Sequence, residues 1–205
     1  MKNKIGEYIN ILFHPVDGFE QMKYRKTGSV GISTGIVLLW FIISSIERQM
    51  THFRFNAFDT KNTNVLYIFI STFILFVFYC VANWSLCTLL DGEGTLREIW
   101  IAAGYSLTPM VLTTLISVIL SHFLSVREGS FIGILTGFGV LWTGLLLLFG
   151  MMQVHRYDFK KTVFSIIGSF IGLVLILFLS FLVILLFQQM GDFLKSVYRE
   201  IFYRL

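Results

Sequence analysis

Five runs of the chain hold no Asp, Glu, Lys or Arg: residues 28–46, 65–90, 99–126, 131–155 and 162–187. A helix rises about 1.5 Å per residue, so about 20 apolar residues cross a hydrocarbon core of roughly 30 Å. Each run is long enough to cross, with 28–46 near the lower limit. Inside lipid the backbone finds no water to bond, which leaves only helices and closed barrels. A barrel would show short alternating segments instead of continuous apolar runs. The expectation is therefore all-α: a polytopic membrane bundle of five transmembrane helices, with a short amphipathic helix at each end. Composition agrees, since 14% of the residues are charged against about 25% in a soluble domain.

Three parts follow: an N-terminal segment 1–27, the bundle 28–187 and a C-terminal helix 188–205. No cleavable signal peptide is expected, because the first apolar run begins near Gly28 after a long basic segment and no small-residue cleavage site follows it. No hydrophilic stretch is long enough for a soluble domain. In the first part Ile5, Tyr8, Ile9, Leu12 and Phe13 recur at helical spacing opposite Lys2, Lys4, Glu7 and Asn10. This predicts an amphipathic helix in the inner headgroup layer, broken at His14-Pro15. At the other end Met190, Phe193, Leu194, Val197, Tyr198, Ile201, Phe202 and Leu205 follow the 3.6 period. That face either rests on the outer leaflet or docks another membrane protein, with Phe193, Val197 and Ile201 as contacts. Gly191 permits a bend between it and the fifth span.

Basic residues set the orientation. With the N-terminus inside, the inner segments 1–27, 91–98 and 154–162 carry nine Lys and Arg, and the outer segments 47–64, 123–130 and 188–205 carry seven. The Lys23, Arg25, Lys26 cluster beside the first span adds to the bias. The expectation is a cytoplasmic N-terminus and an extracytoplasmic C-terminus. The net charge of +4 suits anionic headgroups, and nothing suggests nucleic acid.

Small residues four apart let two backbones approach closely. Gly31/Gly35, Gly133/Gly137 and Gly168/Gly172 have that spacing, which predicts tight packing by the first, fourth and fifth spans, within the chain or between copies. Polar groups gather on the second span (Asn83, Ser85, Thr88) and the third (Ser106, Thr108, Thr113, Thr114, Ser117), where they either bond across helices or line a path. Pro109 predicts a kink in the third span. Cys80 and Cys87 share one helix face about 10 Å apart along the axis, too far for a disulfide.

The most distinctive segment is LLDGEGTLREIWIAAGYSLTP. Gly92 and Gly94 permit a tight reversal. Thr95 and Glu98 have capping-box spacing and should start the third span. Asp91, Glu93, Arg97 and Glu98 put an acidic cluster with one base at the inner surface, where anionic lipid repels it. A basic partner surface would not. Tyr105 and Pro109, further along, complete this set of candidate partner-binding residues.

An Asn and a Trp ahead of an acidic Gly-x-Gly turn, followed by Gly104-Tyr105-Ser106-Leu107 and Pro109, resemble the bacterial branch of the Yip family, named for interaction with Ypt/Rab GTPases. The H-P-x-x-G-F run at His14–Phe19 is similar to a run that precedes the first span in bacterial members. The resemblance covers most of residues 10–187. It departs at Leu90–Gly94, where eukaryotic members carry D-L-Y-G-P, and in its short N-terminal region, so Rab binding does not follow. What it implies is a membrane adaptor in a bacterial cell membrane, without enzymatic activity or cofactor, and with a sugar importer as a partner class.

The residues themselves point the same way. They show no H-E-x-x-H and no paired membrane glutamates. No metal site is expected from His14, His52, His122 and His155, and His155 should end the fourth span at the headgroups. The leading function is a noncatalytic scaffold or accessory subunit bound to another integral membrane protein. The rival is a transporter or lipid-moving protein using the polar faces of the second and third spans.

Overall fold

The structure is a computed structural model that describes residues 2–52, 55 and 64–204. Arg54, Lys61 and Leu205, which enter the expectations above, lie outside the described residues, as do the side chains of residues 2–7. Among the described residues there is no strand. The helices are α1 (Lys2–Phe13), α2 (Pro15–Arg25), α3 (Val30–Met50), α4 (Val65–Phe69), a π-helical turn Ile70–Ile74, α5 (Leu75–Leu89), α6 (Leu96–Ser106), α7 (Thr108–Leu120), a short 3₁₀ turn Val126–Glu128, α8 (Ser130–His155) and α9 (Phe159–Arg204). Five helical segments are long and apolar enough to cross a membrane: Val30–Met50, Val65–Leu89, Leu96–Leu120, Ser130–His155 and Phe159–Tyr203. The all-α polytopic bundle read from the sequence is the fold.

The third span, α6–α7, is the axis. Its most apolar stretch is 61% buried, against 28% or less in the other four. It packs on α3 and on α8, while α5 packs on α9. Gly104 makes the α3 contact possible, because a Cβ there would overlap Ser33. Ser33 Oγ donates to Trp100 O at 2.7 Å, and Trp100 Nε1 donates to Thr34 Oγ1 at 3.1 Å. Gly139 does the same for α8, where a Cβ would sit 2.9 Å from Thr113 Cβ.

The third span breaks at Leu107, two residues before Pro109. Proline has no N–H, so the Tyr105 carbonyl loses its helical partner. The Thr108 hydroxyl donates to that carbonyl instead, at 2.8 Å. A hydroxyl has one proton, so Tyr8 must be the donor in the 2.6 Å contact between Tyr8 OH and Thr108 Oγ1. The same ring meets Tyr105 edge-on at 5.0 Å.

Hence the N-terminal segment packs on the bundle itself. Helices α1 and α2 form a hairpin that docks on α8 and on the α6–α7 break. Ile11 is buried, while Ile9 and Phe13 are exposed. The H-P-x-x-G-F run has a mechanical reading here. Pro15 starts α2, Gly18 lies against the Ile11 backbone with room for no Cβ, and Phe19 is fully buried against Gly150.

Two further expectations are modified. The first and fourth spans are separated by the third. A Cβ on Gly35, Gly133 or Gly137 would meet nothing within 4 Å, and one on Gly31 would meet only Ser29 of the same chain segment. No close approach is made at those faces among the described residues. Gly168 and Gly172 do face a neighbour, α5, through Leu86 and Ala82. The C-terminal segment is continuous with the fifth span: α9 runs for 46 residues without interruption through Gly191. One glycine costs a helix only about 1 kcal/mol relative to alanine, too little to break a helix with strong formers on both sides.

Candidate functional site

The bundle has two ends. The first gathers the α2–α3, α5–α6 and α8–α9 connections, and there α5 and α9 face each other with polar residues at matching i, i+4 spacing. Asn83 and Cys87 on α5 meet Ser169 and Ser165 on α9. Ser169 Oγ donates its only proton to Ser165 O at 2.7 Å. It must therefore accept from Asn83, whose Nδ2 lies 2.9 Å away. That orients the Asn83 amide, so Oδ1 faces His155 Nε2 at 3.0 Å and requires a proton there. In the neutral ring Nδ1 is then a bare acceptor. It is buried and has no hydrogen-bond partner.

His155 is 1% exposed and does not reach the headgroups as the sequence suggested. Its Nδ1 edge meets the turn. A Cβ on Gly92 would lie 2.7 Å from Nδ1 and 2.5 Å from Tyr157 OH, and one on Gly94 would lie 2.6 Å from His155 Cε1. Neither glycine has a positive φ. The left-handed residue of the reversal is Asp91, at φ 57°. Gly92 and Gly94 are therefore needed for close approach to the His155–Tyr157 pair, and not for the turn conformation.

Tyr157 stacks on His155 with ring centroids 5.3 Å apart. Its hydroxyl reaches Leu90 O at 3.1 Å, at the end of α5 where helical carbonyls run out of partners, and Cys87 O at 3.2 Å, which also accepts from Gly92 N at 2.7 Å. Burial pushes the Tyr157 phenol well above the usual range, and the neighbouring Cys87 and Asp91 add to this. The Lys161 ammonium sits over the ring at 4.3 Å.

Outside this buried plug lies a charged collar. Glu93 bonds Arg156 at 3.1 Å and faces Lys23 at 3.8 Å. Lys23 also donates to Val154 O, which staples α2 to α8. Desolvation lowers the Lys23 pKa, against the opposing pull of Glu98 and Glu93. The guanidinium of Arg156 covers the Tyr24 ring at 5.2 Å. Partly exposed pairs of this kind contribute about 0–1 kcal/mol each, so the collar mainly fixes positions. Thr95 and Glu98 form the capping box, with Glu98 Oε2 accepting from Thr95 N at 2.9 Å. A shallow cleft of about 200 Å³ between α2 and α6 is lined by Lys26, Arg97 and Glu98.

Lys26, Asp91 and Arg156 are the three non-glycine residues with positive φ among the described residues, and all three lie at this end. Such conformations are uncommon outside glycine and persist only where their surroundings enforce them.

The candidate residues separate into three places. Asp91, Glu93 and Arg97 are exposed on the collar, with Glu98 half-buried beside them. Tyr105 and Pro109 are buried at the α6–α7 break, where Tyr105 OH accepts from Ser29 N at 3.1 Å. Phe193, Val197 and Ile201 are exposed on the far length of α9, beyond the opposite end of the bundle. The sequence reading missed His155 and Tyr157. The available signal was the repeated i, i+4 polar spacing of Asn83/Cys87 and Ser165/Ser169.

Five apolar spans closed at one end by a hydrogen-bonded plug define a multi-pass α-helical membrane protein. The chain belongs to the Yip1 domain family, which it matches over residues 9–195. The matched stretch begins within α1, so α2 and the plug lie inside the family domain. No curated protein and no solved structure matches the chain.

Proposed function

We propose that this chain is a noncatalytic scaffold or accessory subunit that binds another integral membrane protein in a bacterial cell membrane. The observation that carries this reading is α9. Its 46 residues amount to about 69 Å of helix, roughly twice the hydrocarbon thickness. Bundle contacts cover only its first half, and almost every residue from Phe181 to Tyr203 is exposed. Beyond the charge-free stretch that ends at Phe187, the face carrying Phe193, Val197 and Ile201 is exposed and has no packing partner among the described residues. An apolar helix face of this length suits another membrane protein, and a sugar importer is the class that the family resemblance suggests. The collar of Asp91, Glu93 and Arg97 offers a second, polar contact surface at the opposite end.

The rival transport reading has less support, because Asn83 of the second span and Thr113 of the third do not face each other. Asn83 is turned towards α9, whereas Thr113 bonds its own Pro109 carbonyl at 2.9 Å and faces α8.

Photo-crosslinking amino acids placed singly at Phe193, Val197, Ile201, Lys195 and Arg199 test the proposal in native membranes. The expected result is one discrete protein adduct from the first three positions and none from the last two. Adducts to lipid alone would assign this face to the membrane surface and remove the scaffold reading.

The first end is proposed to be cytoplasmic, on the strength of the nine-to-seven basic bias and the docked Lys23 and Arg156. In a variant with Cys80 and Cys87 replaced, Leu205→Cys should react with an impermeant thiol reagent in intact cells and Lys2→Cys should not. The reverse pattern would invert the topology.

A further inference from the structure

The cleft of about 200 Å³ between α2 and α6 takes no part in the plug. Its lining is divided by chemistry. Lys26, Thr95, Arg97 and Glu98 supply polar groups, while Met22 and Ile101 are buried apolar side chains. Gly28 lies between these two, and a Cβ there would crowd them, at 3.0 Å from both Met22 Cγ and Ile101 Cγ2. The cleft also stands where two spans begin. Gly28 is two residues before α3, and Thr95 caps α6. Val30 and Leu96, the first residues of those spans, are exposed apolar side chains. The polar lining is therefore at headgroup level, with hydrocarbon beginning beside it.

Other cations at this end are engaged within the chain. Lys23 and Arg156 hold Glu93, and Lys161 covers Tyr157. Lys26 and Arg97 differ. Both are exposed, and neither side chain has a hydrogen bond or ion pair among the described residues. Glu98, the carboxylate of the lining, is already occupied. Its Oε2 accepts from Thr95 N at 2.9 Å and from Thr95 Oγ1 at 3.0 Å. The cleft thus presents two free cations against one engaged carboxylate. Lys26 further holds a left-handed backbone, φ 52°, which glycine or asparagine adopts more readily. The chain keeps a cation there in spite of that conformational cost.

We propose that this cleft binds the phosphate of an anionic phospholipid headgroup, with Lys26 and Arg97 as the donors from its two walls. A phosphodiester offers a negative charge and acceptor oxygens to both cations, and arginine meets it with a planar fork of N–H groups. The volume is below the range of about 300–1,000 Å³ for sites that enclose a whole small ligand. It suits a headgroup whose chains stay in the bilayer. Depth favours lipid over a free anion, because the membrane surface presents its phosphates at this level. A zwitterionic headgroup brings an ammonium that the two cations repel, which selects phosphatidylglycerol over phosphatidylethanolamine. The site is separate from the α9 face. Arg97 also stands on the collar, so a bound headgroup becomes part of the surface beside Asp91 and Glu93.

The test uses the full chain in phosphatidylethanolamine vesicles with a minor share of phosphatidylglycerol. They are doped with a photoactivatable phosphatidylglycerol whose diazirine is on the headgroup. We expect saturable labelling within residues 22–28 and 95–101, competed by unlabelled phosphatidylglycerol and not by phosphatidylcholine. Lys26→Asn combined with Arg97→Gln keeps residues that suit the left-handed turn and the helix start, and should reduce labelling several-fold. Arg25→Gln removes an exposed neighbouring charge that does not line the cleft, and should leave labelling unchanged. Thermal unfolding in detergent checks that each variant is folded, and Arg97→Gln alone serves if the double variant is not. Labelling that does not saturate, or that falls as far in Arg25→Gln as in the double variant, would reduce the effect to general surface charge and overturn the site. Displacement of the label by millimolar inorganic phosphate would assign the cleft to a soluble phosphate and overturn the lipid as its ligand.

Discussion

Phe19→Ala is expected to detach the N-terminal hairpin at a cost of about 3–5 kcal/mol, the usual cost of truncating a fully buried phenylalanine. The ring is 0% exposed, and it lies against Gly150 so closely that a Cβ there would sit 3.2 Å from Phe19 Cζ. It is the main apolar anchor between α2 and α8. Other ties include Met22, the Lys23 bond to Val154 O, the Arg156 guanidinium over Tyr24, and the Tyr8 contacts with Thr108 and Tyr105. Elements open locally with free energies below the global value, so the loss should appear first as exposure of α1–α2. Hydrogen exchange of residues 8–25 in detergent or bicelles is the direct measure, with Phe19→Leu as a milder control. Unchanged protection in Phe19→Ala would mean that the hairpin is held by its polar ties, and the packing account of the H-P-x-x-G-F run would fail.

The spans were legible because lipid leaves so few alternatives. A charge-free run of about 20 residues is a helix for want of any other way to bond its backbone. The capping box was equally plain, since Thr95 and Glu98 are close in sequence and bond only each other. What was not legible is direction. The i, i+4 glycines show that a helix face is smooth and say nothing of what opposes it. Gly133/Gly137 has the motif and no neighbour among the described residues, Gly168/Gly172 has the motif and faces α5, and two unpaired glycines make equally close contacts, Gly104 against Ser33 and Gly139 against Thr113. His155 fails for the same reason. Hydropathy marks the end of α8 correctly but cannot tell whether the last ring turns out to the headgroups or in to Asn83. Gly92 and Gly94 were noticed for the right region and the wrong property, because the need for a small residue arises from Tyr157 and His155, distant in sequence.

Asn83→Leu tests whether the plug is a unit. Leucine keeps the branched shape of asparagine in a 0% exposed position but is bulkier, so some overpacking accompanies the loss of polarity. Ser169 keeps its bond to Ser165 O, but the His155 Nε2 proton loses its only acceptor. A single interhelical hydrogen bond in a membrane averages about 0.6 kcal/mol. Here the abandoned donor is itself buried, which raises the expected loss to about 1–3 kcal/mol. His155→Leu should cost a similar amount by leaving Asn83 Oδ1 unpaired. The double variant removes both partners together, and should be clearly less destabilised than the sum of the two singles. The measurement is a double-mutant cycle on unfolding in mixed detergent micelles, read beside hydrogen exchange of residues 91–98. His155 supports Gly92 and Gly94, so the His155→Leu arm should also loosen the turn, and Asn83→Leu should do so less because the ring stays in place between Tyr157 and the glycines. Strict additivity in the cycle would mean that Asn83 and His155 act independently. The first end would then be two unrelated polar sites beside a charged turn, without the shared support that presents Asp91, Glu93 and Arg97 as one surface.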